Sequence, residues 1–295
     1  GYTIQMNKAT GEIKKMQAEL ANTSGFNVVS KNLQNIGEKV NNVGDKISGL
    51  GSKMTAGITV PVATAAVTVA KLFTDYQDGM AKIATIADTK ETSLENIGNG
   101  LIQLSDKTGK SISDLQEGEY EAISSGVDTA KSVQFMGVAT KAAVGGFTDT
   151  DTAVDGLTTV LNAYGLSAEH ATQIANQMMV AQNLGKTTFG EMAQQVGNAI
   201  PTFATADVST KEFFSSLGVL TANGIHTREA VTGLKAALSN IIKPSNEAAK
   251  AADALGLKFN ASELKAKGWM PFLLEVKDKL KQVAPEYYEA TQKVA

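Results

Sequence analysis

Cysteine is absent from this chain of 295 residues, and arginine is nearly so. The lack of thiols excludes disulfide frameworks, thiolate zinc sites and cysteine nucleophiles. Of the 27 basic residues only Arg228 is an arginine, and the net charge is −3. Proteins that read nucleic acid use arginine forks for guanine and phosphate and carry a clustered positive face. We therefore expect no sequence-specific binding of nucleic acid.

Aromatic residues are also scarce, at 6% of the chain with Trp269 as the single tryptophan. The hydrophobic fraction is nevertheless 43%, which is enough to bury a core. Small aliphatic side chains and 27 glycines must fill that core. Such residues allow close packing of helices, although each one buries little apolar area.

Strand patterns with a period of two are nearly missing, whereas helix boundaries are frequent. The spacing of a capping box occurs at Ser113 with Gln116, Thr188 with Glu191, and Ser209 with Glu212. Glycines stand where helices should end, at Gly109, Gly126, Gly165, Gly185, Gly224 and Gly256. The sequence therefore predicts an all-α fold, with a multi-helix domain of about eight to ten helices after an N-terminal helix.

That N-terminal helix is predicted from three consecutive heptads, LQNIGEK, VNNVGDK and ISGLGSK, at residues 33–53. Apolar residues recur at spacings of three and four along one seam, at Phe26, Val29, Leu33, Ile36, Val40, Val43, Ile47, Leu50 and Met54. A repeat of 3.5 residues favours a left-handed coiled coil. An internal helix of a bundle would show the same short pattern, so both interpretations stay open.

Glycine interrupts this seam at regular intervals, because each of three d positions is followed by Gly37, Gly44 or Gly51. Each glycine inside a helix costs about 1 kcal/mol relative to alanine. Lysines fill the g positions, and glycines stand at the e positions opposite them, so no e–g ion pair is available. We expect an isolated peptide of this region to be mostly unfolded, and glycine-to-alanine changes to raise its helicity.

A stretch without charge, MTAGITVPVATAAVTVA, follows at residues 54–70. Its apolar and boundary positions include Ile58, Val60, Pro61, Val62, Val67 and Val69. A membrane span needs about 20 strongly apolar residues, and this stretch is shorter and rich in threonine and alanine. A buried helix is the favoured interpretation, and a segment that inserts into a membrane when triggered is the alternative.

Motifs for catalysis, metals and cofactors are incomplete throughout. The two histidines, His170 and His226, lie far apart and outside any HExxH pattern. The acidic cluster Asp149, Asp151 and Asp155 has valine where a calcium loop needs glycine. We therefore predict no enzyme activity, no metal and no cofactor, and assign Asp149 or Asp151 to a helix cap.

Two GK[ST] triplets begin at Gly109 and Gly185. A phosphate-binding loop needs another glycine five residues earlier, where this chain has Leu104 and Val180. Both triplets are therefore predicted to be helix ends. The segment Trp269-Met270-Pro271 is predicted to be a loop, in which the tryptophan packs in the core or, as the alternative, anchors a partner.

Four regions follow from these patterns: N-terminal helices with the heptads (1–57), an uncharged helix and connector (58–90), a helical core domain (91–257) and a C-terminal helical segment (258–295). The chain begins with glycine and ends directly after a helical pattern. We expect it to be a piece of a longer protein.

The order of these elements resembles the shared core domain of phage tail tape measure proteins. The similarity begins with the run from Gly37 to Asp88, in which heptads with glycines lead to a Thr-Val-Pro element and an alanine-rich helix. It continues through the helix end at 139–146, DGLTTVLNAYG at 155–165, and the threonine-rich cap at 185–192. The resemblance covers about residues 35–257.

The resemblance implies a structural virion protein that lies inside the tail tube in a few parallel copies. Such a protein sets tube length during assembly in the host cytoplasm, and at infection it leaves ahead of the DNA to help it cross the host envelope. The implied partners are further copies of the chain, tail tube and tail tip proteins, tail assembly chaperones and the host membrane. The family has no catalytic residues in this domain.

A membrane-perturbing helical protein, either a pore-forming toxin or a secreted effector, is the alternative function. It is suggested by the uncharged residues 54–70 and the glycine-containing helix at 137–146. A cell-wall hydrolase is a weaker third possibility, because no set of residues fits a catalytic site.

Overall fold

The computed structural model describes residues 74–283, and every regular element within this range is helical. The all-α prediction is therefore confirmed for this part of the chain. The predicted coiled-coil seam, its three glycines and the uncharged segment 54–70 lie outside the described residues. The four predicted regions, with boundaries at 57, 90 and 257, stay predictions.

Residues 74–84 are helical, and the helices that follow are short and closely spaced. They are α1 (Leu94–Thr108), α2 (Ile112–Ser124), α3 (Thr129–Gly145), α4 (Thr150–Tyr164), α5 (Ala171–Leu184), α6 (Phe189–Val196), α7 (Ile200–Thr205), α8 (Thr210–Ala222), α9 (Thr227–Ile242), α10 (Asn246–Ala254), α11 (Ala261–Lys267) and α12 (Trp269–Val283). A 3₁₀ turn, Ala168–His170, precedes α5. The ten helices α1–α10 agree with the predicted number for the core domain.

The described residues divide into two units, residues 74–120 and 121–283. In the first unit, the helical residues 74–84 lie close to α1, where a Cβ on Gly98 would be 2.4 Å from the Tyr76 hydroxyl. The Gln116 amide donates a hydrogen bond of 2.9 Å to the Tyr76 carbonyl. This side chain therefore joins α2 to the helical residues 74–84.

In the second unit, two pairs of helices make especially close contact. Helix α4 meets α6 at Gly156, where a Cβ would lie 2.5 Å from the Cβ of Ala193. Helix α5 meets α8 at Ala181 and Gly218, and α3 packs against both α4 and α5. Small residues at these contacts allow the backbones to approach, as the low aromatic content predicts.

Four of the scarce aromatic side chains of this unit meet in one cluster. Phe203 packs edge-on against Phe213 and Trp269, with ring centroids 4.9 and 5.3 Å away, and Phe214 also packs edge-on against Phe213. Trp269 is only 1% exposed, and its indole N–H donates to the Ser216 hydroxyl at 3.0 Å. The prediction that this tryptophan packs in the core is confirmed.

Two of the three predicted capping boxes form. Thr188 with Glu191 caps α6, and Ser209 with Glu212 caps α8, each with both reciprocal hydrogen bonds. The prediction at Ser113 is wrong, because α2 already begins at Ile112. Ser111 caps that helix by accepting a hydrogen bond of 3.1 Å from the Asp114 N–H.

The predicted glycine helix ends are confirmed, although their backbone geometry differs. Gly109 and Gly165 are left-handed C-caps, as expected for residues without a Cβ. Gly185 ends α5 in an extended conformation instead. A Cβ there would lie 2.2 Å from the Thr221 hydroxyl, so close packing against α8 requires this glycine.

The predicted loop at Trp269-Met270-Pro271 is wrong, because α12 begins at Trp269. Pro271 lies in the first turn of that helix, where the missing N–H removes no intrahelical hydrogen bond. The Phe272 N–H donates to the Gly268 carbonyl at 3.1 Å and starts the helical pattern. A proline that looked like a loop residue therefore belongs to a helix start.

Candidate functional site

The structure places the residues considered for chemistry at helix boundaries. His170 lies in the 3₁₀ turn, exposed, with its Nδ1 3.3 Å from the Ser167 hydroxyl. Both GK[ST] triplets follow helices, with Gly109 and Gly185 as the C-caps of α1 and α5. Neither triplet forms a loop that wraps around a phosphate.

The acidic cluster is also explained by helix geometry. Asp149 caps α4, because its carboxylate accepts a hydrogen bond of 2.7 Å from the Thr152 N–H. This resolves the choice between Asp149 and Asp151 as the cap. Within residues 74–283 no group of three or more histidine, aspartate or glutamate side chains could hold a metal ion.

One concave feature of the described residues is an open groove of about 230 Å³ in the second unit. It lies beside the N-terminal ends of α6 and α9 and is lined by Lys186, Glu191, Gln194, Gln195, His226, Thr227 and Arg228. Three basic side chains and one carboxylate therefore meet at this groove.

A partly buried polar network forms the wall of the groove. The Thr227 hydroxyl lies 2.8 Å from both the Glu191 carboxylate and the Thr187 hydroxyl. Because a carboxylate only accepts, Thr227 donates to Glu191 and can accept from Thr187. Glu191 also accepts a hydrogen bond of 3.3 Å from the Thr188 N–H in the capping box.

This network joins helices and does not form a catalytic arrangement. The hydroxyls of Thr187 and Thr227 belong to buried residues, and the carboxylate beside them completes the cap of α6. No hydrogen bond connects His226 to either hydroxyl in the described structure, so the nucleophile–base pair of a hydrolase is missing there. The network fixes the start of α9 against α6.

A second polar cluster connects α8 to α12. Glu212 accepts hydrogen bonds from the Ser209 hydroxyl at 2.8 Å and from the Met270 N–H at 3.4 Å. The Tyr164 hydroxyl donates to the Val208 carbonyl at 2.6 Å beside this cluster. Burial raises the pKa of Tyr164 above its usual range, and the negative charge of Glu212 raises it further. These contacts stabilise the fold around the aromatic cluster.

The C-terminal ends of α3, α5 and α8 come together at one end of the second unit. The Gln182 amide donates to the Gly145 carbonyl at 3.4 Å, which joins the ends of α5 and α3. Gly185 packs against Gly218 and Thr221, which joins the ends of α5 and α8.

Large apolar side chains are exposed around these three helix ends. They are Val144, Phe147, Val180, Leu184, Val219 and Ile225, which we name the apolar end surface. This surface was not predicted from the sequence. Its signal is the absence of Asp, Glu, Lys and Arg from residues 142–148, 171–184 and 213–225.

Phe147 is the most exposed member of this surface, at 93%. Its backbone is left-handed, with φ of 52°, in a conformation that non-glycine residues adopt at a cost. Gly146, one residue earlier, has φ of −92° and is needed for packing, since a Cβ there would lie 2.4 Å from the Cβ of Phe189. The left-handed position of this helix end therefore falls on an aromatic residue.

Among residues 74–283, no helix combines the length and apolar character needed to cross a membrane. The uncharged segment 54–70, on which the membrane alternative depends, lies outside this range.

The chain matches the family model described as phage-related minor tail protein over residues 98–294. It is 31% identical over 165 residues to a probable tape measure protein of Clostridium phage phiCD119, an alignment that covers 55% of this chain and 18% of that protein. It is 27% identical over 250 residues to a tape measure protein of Pneumococcus phage Dp-1, covering 83% of this chain and 22% of that protein. No solved structure matches the chain. The chain thus spans about a fifth of the length of these relatives.

Proposed function

Because the chain belongs to the phage-related minor tail protein family, we propose that it is a segment of a tape measure protein. Such a protein lies inside the tail tube of a long-tailed phage and sets the length of the tube during assembly. At infection it leaves the tube ahead of the DNA. The role is structural and requires no catalytic residue.

The observation that supports this proposal best is the alignment of 83% of the chain with a phage tape measure protein. The relative from Clostridium phage phiCD119, which aligns over a shorter range, is named a probable tape measure protein. The described helices agree with a structural role, since their polar networks join helix ends and leave no reactive pair of side chains at the groove.

Within the longer protein, this segment supplies a folded body and not the length-setting rod. A rod that measures length is an extended helix, which rises 1.5 Å per residue. The longest helix within residues 74–283 is α3, with 17 residues, and spans only about 25 Å. We therefore assign the measuring function to other parts of the parent protein.

We further propose that several copies of the chain lie in parallel and associate through the heptad seam at residues 26–54. Tail tube proteins, tail tip proteins and assembly chaperones are the other partners that this role requires. The membrane-perturbing alternative has no supporting observation in the described residues.

The proposal is tested with particles of the phage or prophage that encodes the chain. An antibody raised against residues 74–283 should detect the protein in purified tails, and external protease should not digest it while the tails are intact. After DNA ejection is triggered, the signal should be lost from the tails. Absence of the protein from purified tails, or its digestion in intact ones, would contradict an internal structural role.

A further inference from the structure

Asparagine followed by glycine occurs twice in the sequence, at Asn99-Gly100 and at Asn223-Gly224. In such a pair the backbone nitrogen of the glycine can attack the side-chain amide carbon of the asparagine, because no Cβ hinders the approach. The new C–N bond closes a five-membered succinimide ring, and the amide nitrogen takes up the proton of the glycine N–H and leaves as ammonia. Water then opens the ring to aspartate or isoaspartate, so the reaction requires no enzyme.

The fold holds the first pair in a conformation that cannot react. Ring closure requires the asparagine to leave the helical conformation and the glycine N–H to lose its hydrogen bond. Asn99 and Gly100 lie inside α1, where each N–H bonds the carbonyl four residues earlier. Their neighbours Ile97, Gly98 and Leu101 are buried. Reaction at Asn99 therefore requires a packed helix to open.

The second pair lies at a helix end. Asn223 is the C-cap of α8, and Asn223 and Gly224 are both exposed in the short connection, residues 223–226, that leads to α9. Gly224 has a positive φ of 90°, and no atom lies within 4 Å of the position of a Cβ there.

The hydrogen bonds of this second pair all belong to the last turn of α8. The Gly224 N–H donates to the Thr221 carbonyl at 3.0 Å, and the Asn223 N–H donates to the Val219 carbonyl at 3.2 Å. The Asn223 side-chain amide donates to the same Val219 carbonyl at 2.8 Å. Fraying of a helix end costs far less free energy than the opening of a packed helix interior. Local opening of this one turn therefore frees the groups that react.

We propose that Asn223 is a site of spontaneous deamidation in the folded protein, and that the product weakens the end of α8. A carboxylate only accepts hydrogen bonds, so the donor to the Val219 carbonyl is lost. The new negative charge also lies at the C-terminal end of α8, which is the negative end of the helix dipole. Residues 213–225 contain no Asp, Glu, Lys or Arg that could compensate this charge.

The isoaspartate form has a further effect on the connection. It adds one methylene group to the main chain between α8 and α9. The start of α9 is fixed, because the Thr227 hydroxyl bonds Glu191 and Thr187. The extra length must therefore be taken up by the end of α8 or by residues 223–226. This chemistry belongs to the folded chain and does not depend on its role in a phage tail.

The two pairs provide a comparison within one molecule. The whole chain is incubated at neutral and at mildly alkaline pH and is then digested with trypsin under mildly acidic conditions. Cleavage after lysine and arginine releases Asn99 in the peptide 91–107 and Asn223 in the peptide 212–228. Mass spectrometry measures aspartate and isoaspartate at each position. Asn223 should react at least about tenfold faster than Asn99, because its helix end opens more readily.

The same measurement on the chain unfolded in guanidinium chloride is the control. Both pairs have the same chemistry there, so the two rates should become similar. Equal rates in the folded chain, or an Asn223 that stays unmodified, would overturn the proposal. A rate difference that persists in the unfolded chain would also overturn it, because the flanking sequence and not the fold would then be the cause.

Two variants test the effect of the product. Asn223→Gln should abolish the modification, because a glutamine would have to form a six-membered ring, which closes far more slowly. Asn223→Asp supplies the aspartate product directly, and its melting temperature should be lower than that of Asn223→Gln. The difference should narrow as the pH falls through the range in which an aspartate takes up a proton. Equal melting temperatures of the two variants at neutral pH would show that the product does not weaken the end of α8.

Discussion

Gly156 has no space for a side chain, because α4 and α6 touch at this residue. A Cβ would lie 2.5 Å from the Cβ and 2.8 Å from the Cα of Ala193. Gly156→Ala should therefore destabilise the fold by about 1–3 kcal/mol, since backbone and not a flexible side chain must move. Urea denaturation followed by circular dichroism measures this change.

Gly233 provides the matched control for the same substitution. It is exposed in α9, and a Cβ there would meet no atom within 4 Å apart from the backbone of its own helix turn. Gly233→Ala should stabilise the protein by up to about 1 kcal/mol through helix propensity alone. If both variants shift the urea midpoint in the same direction, packing at Gly156 does not decide the outcome.

Tyr164 should make the stability of the second unit sensitive to alkaline pH. Burial and the charge of Glu212 raise its pKa in the folded state, whereas an unfolded tyrosine has a pKa of about 10. The stabilisation is therefore complete below pH 10 and is lost as pH rises above that value. Urea midpoints measured from pH 8 to pH 11 should fall over this range.

Tyr164→Phe tests that assignment. At pH 8 the variant should lose about 1 kcal/mol, because the Val208 carbonyl loses its donor. Its stability should then fall less steeply with pH than that of the wild type.

Burial also raises the pKa of Tyr76, so some decline in stability at alkaline pH should remain in the variant. An unchanged alkaline slope in Tyr164→Phe would contradict the assignment to Tyr164, and Tyr120→Phe at an exposed site serves as the control.

Individual residues show where sequence patterns suffice and where they do not. The cap at Asp149 and the boxes at Thr188 and Ser209 were predictable, because they depend on neighbours within the same turn. The position of Phe147 was not. A glycine such as Gly146 is the residue expected in the left-handed position at the end of a helix. Here Gly146 instead packs closely against Phe189, which is distant in the sequence, and sequence patterns do not show that contact.

At the level of elements, the network around Thr227 connects helices that are separated in sequence. Its hydroxyl is buried and contacts both Glu191 and Thr187. Thr227→Val keeps the shape but removes a donor to a carboxylate, so we expect a loss of about 1–3 kcal/mol in the free energy of unfolding.

Thr232→Val is the control for this change. Its hydroxyl is exposed and bonds only the Arg228 carbonyl within α9, so its removal should change stability by less than about 0.5 kcal/mol. Both variants are compared by thermal and urea unfolding. A loss at Thr227 no larger than that at Thr232 would show that the network does not fix α9 against α6.

Helix starts that depend on tertiary contacts are the elements that sequence patterns misplaced. Trp269 begins α12 because its ring enters the aromatic cluster and its N–H finds Ser216 on α8. Pro271 and Gly268 are as typical of a loop as of a helix start, so the local sequence pattern could not decide between the two. Near the start of α2, both Ser111 and Ser113 are suitable N-cap residues by type. The structure shows that Ser111 is the cap, because the helix begins at Ile112.

At the scale of the whole molecule, the sequence predicted the all-α class and about eight to ten short helices after the N-terminal helix. The heptads and capping spacings carry this information locally, so the resemblance to tape measure proteins is visible in the amino-acid sequence itself. The apolar end surface could not be predicted in the same way. Three stretches that are distant in sequence form it only after α3, α5 and α8 have packed.

The strongest whole-molecule prediction concerns tail length. If residues 129–283 formed part of a continuous measuring helix, their deletion from the parent gene would shorten the tail by about 230 Å at 1.5 Å per residue. In the structure these residues fold into the short helices α3–α12. We therefore expect tails made with the deletion to differ from wild type by far less than that length in electron micrographs. In any segment of the parent protein that forms a continuous measuring helix, a deletion should instead shorten the tail by about 1.5 Å for each residue removed. Tails shortened by about 230 Å after deletion of residues 129–283 would show that this folded body measures length after all.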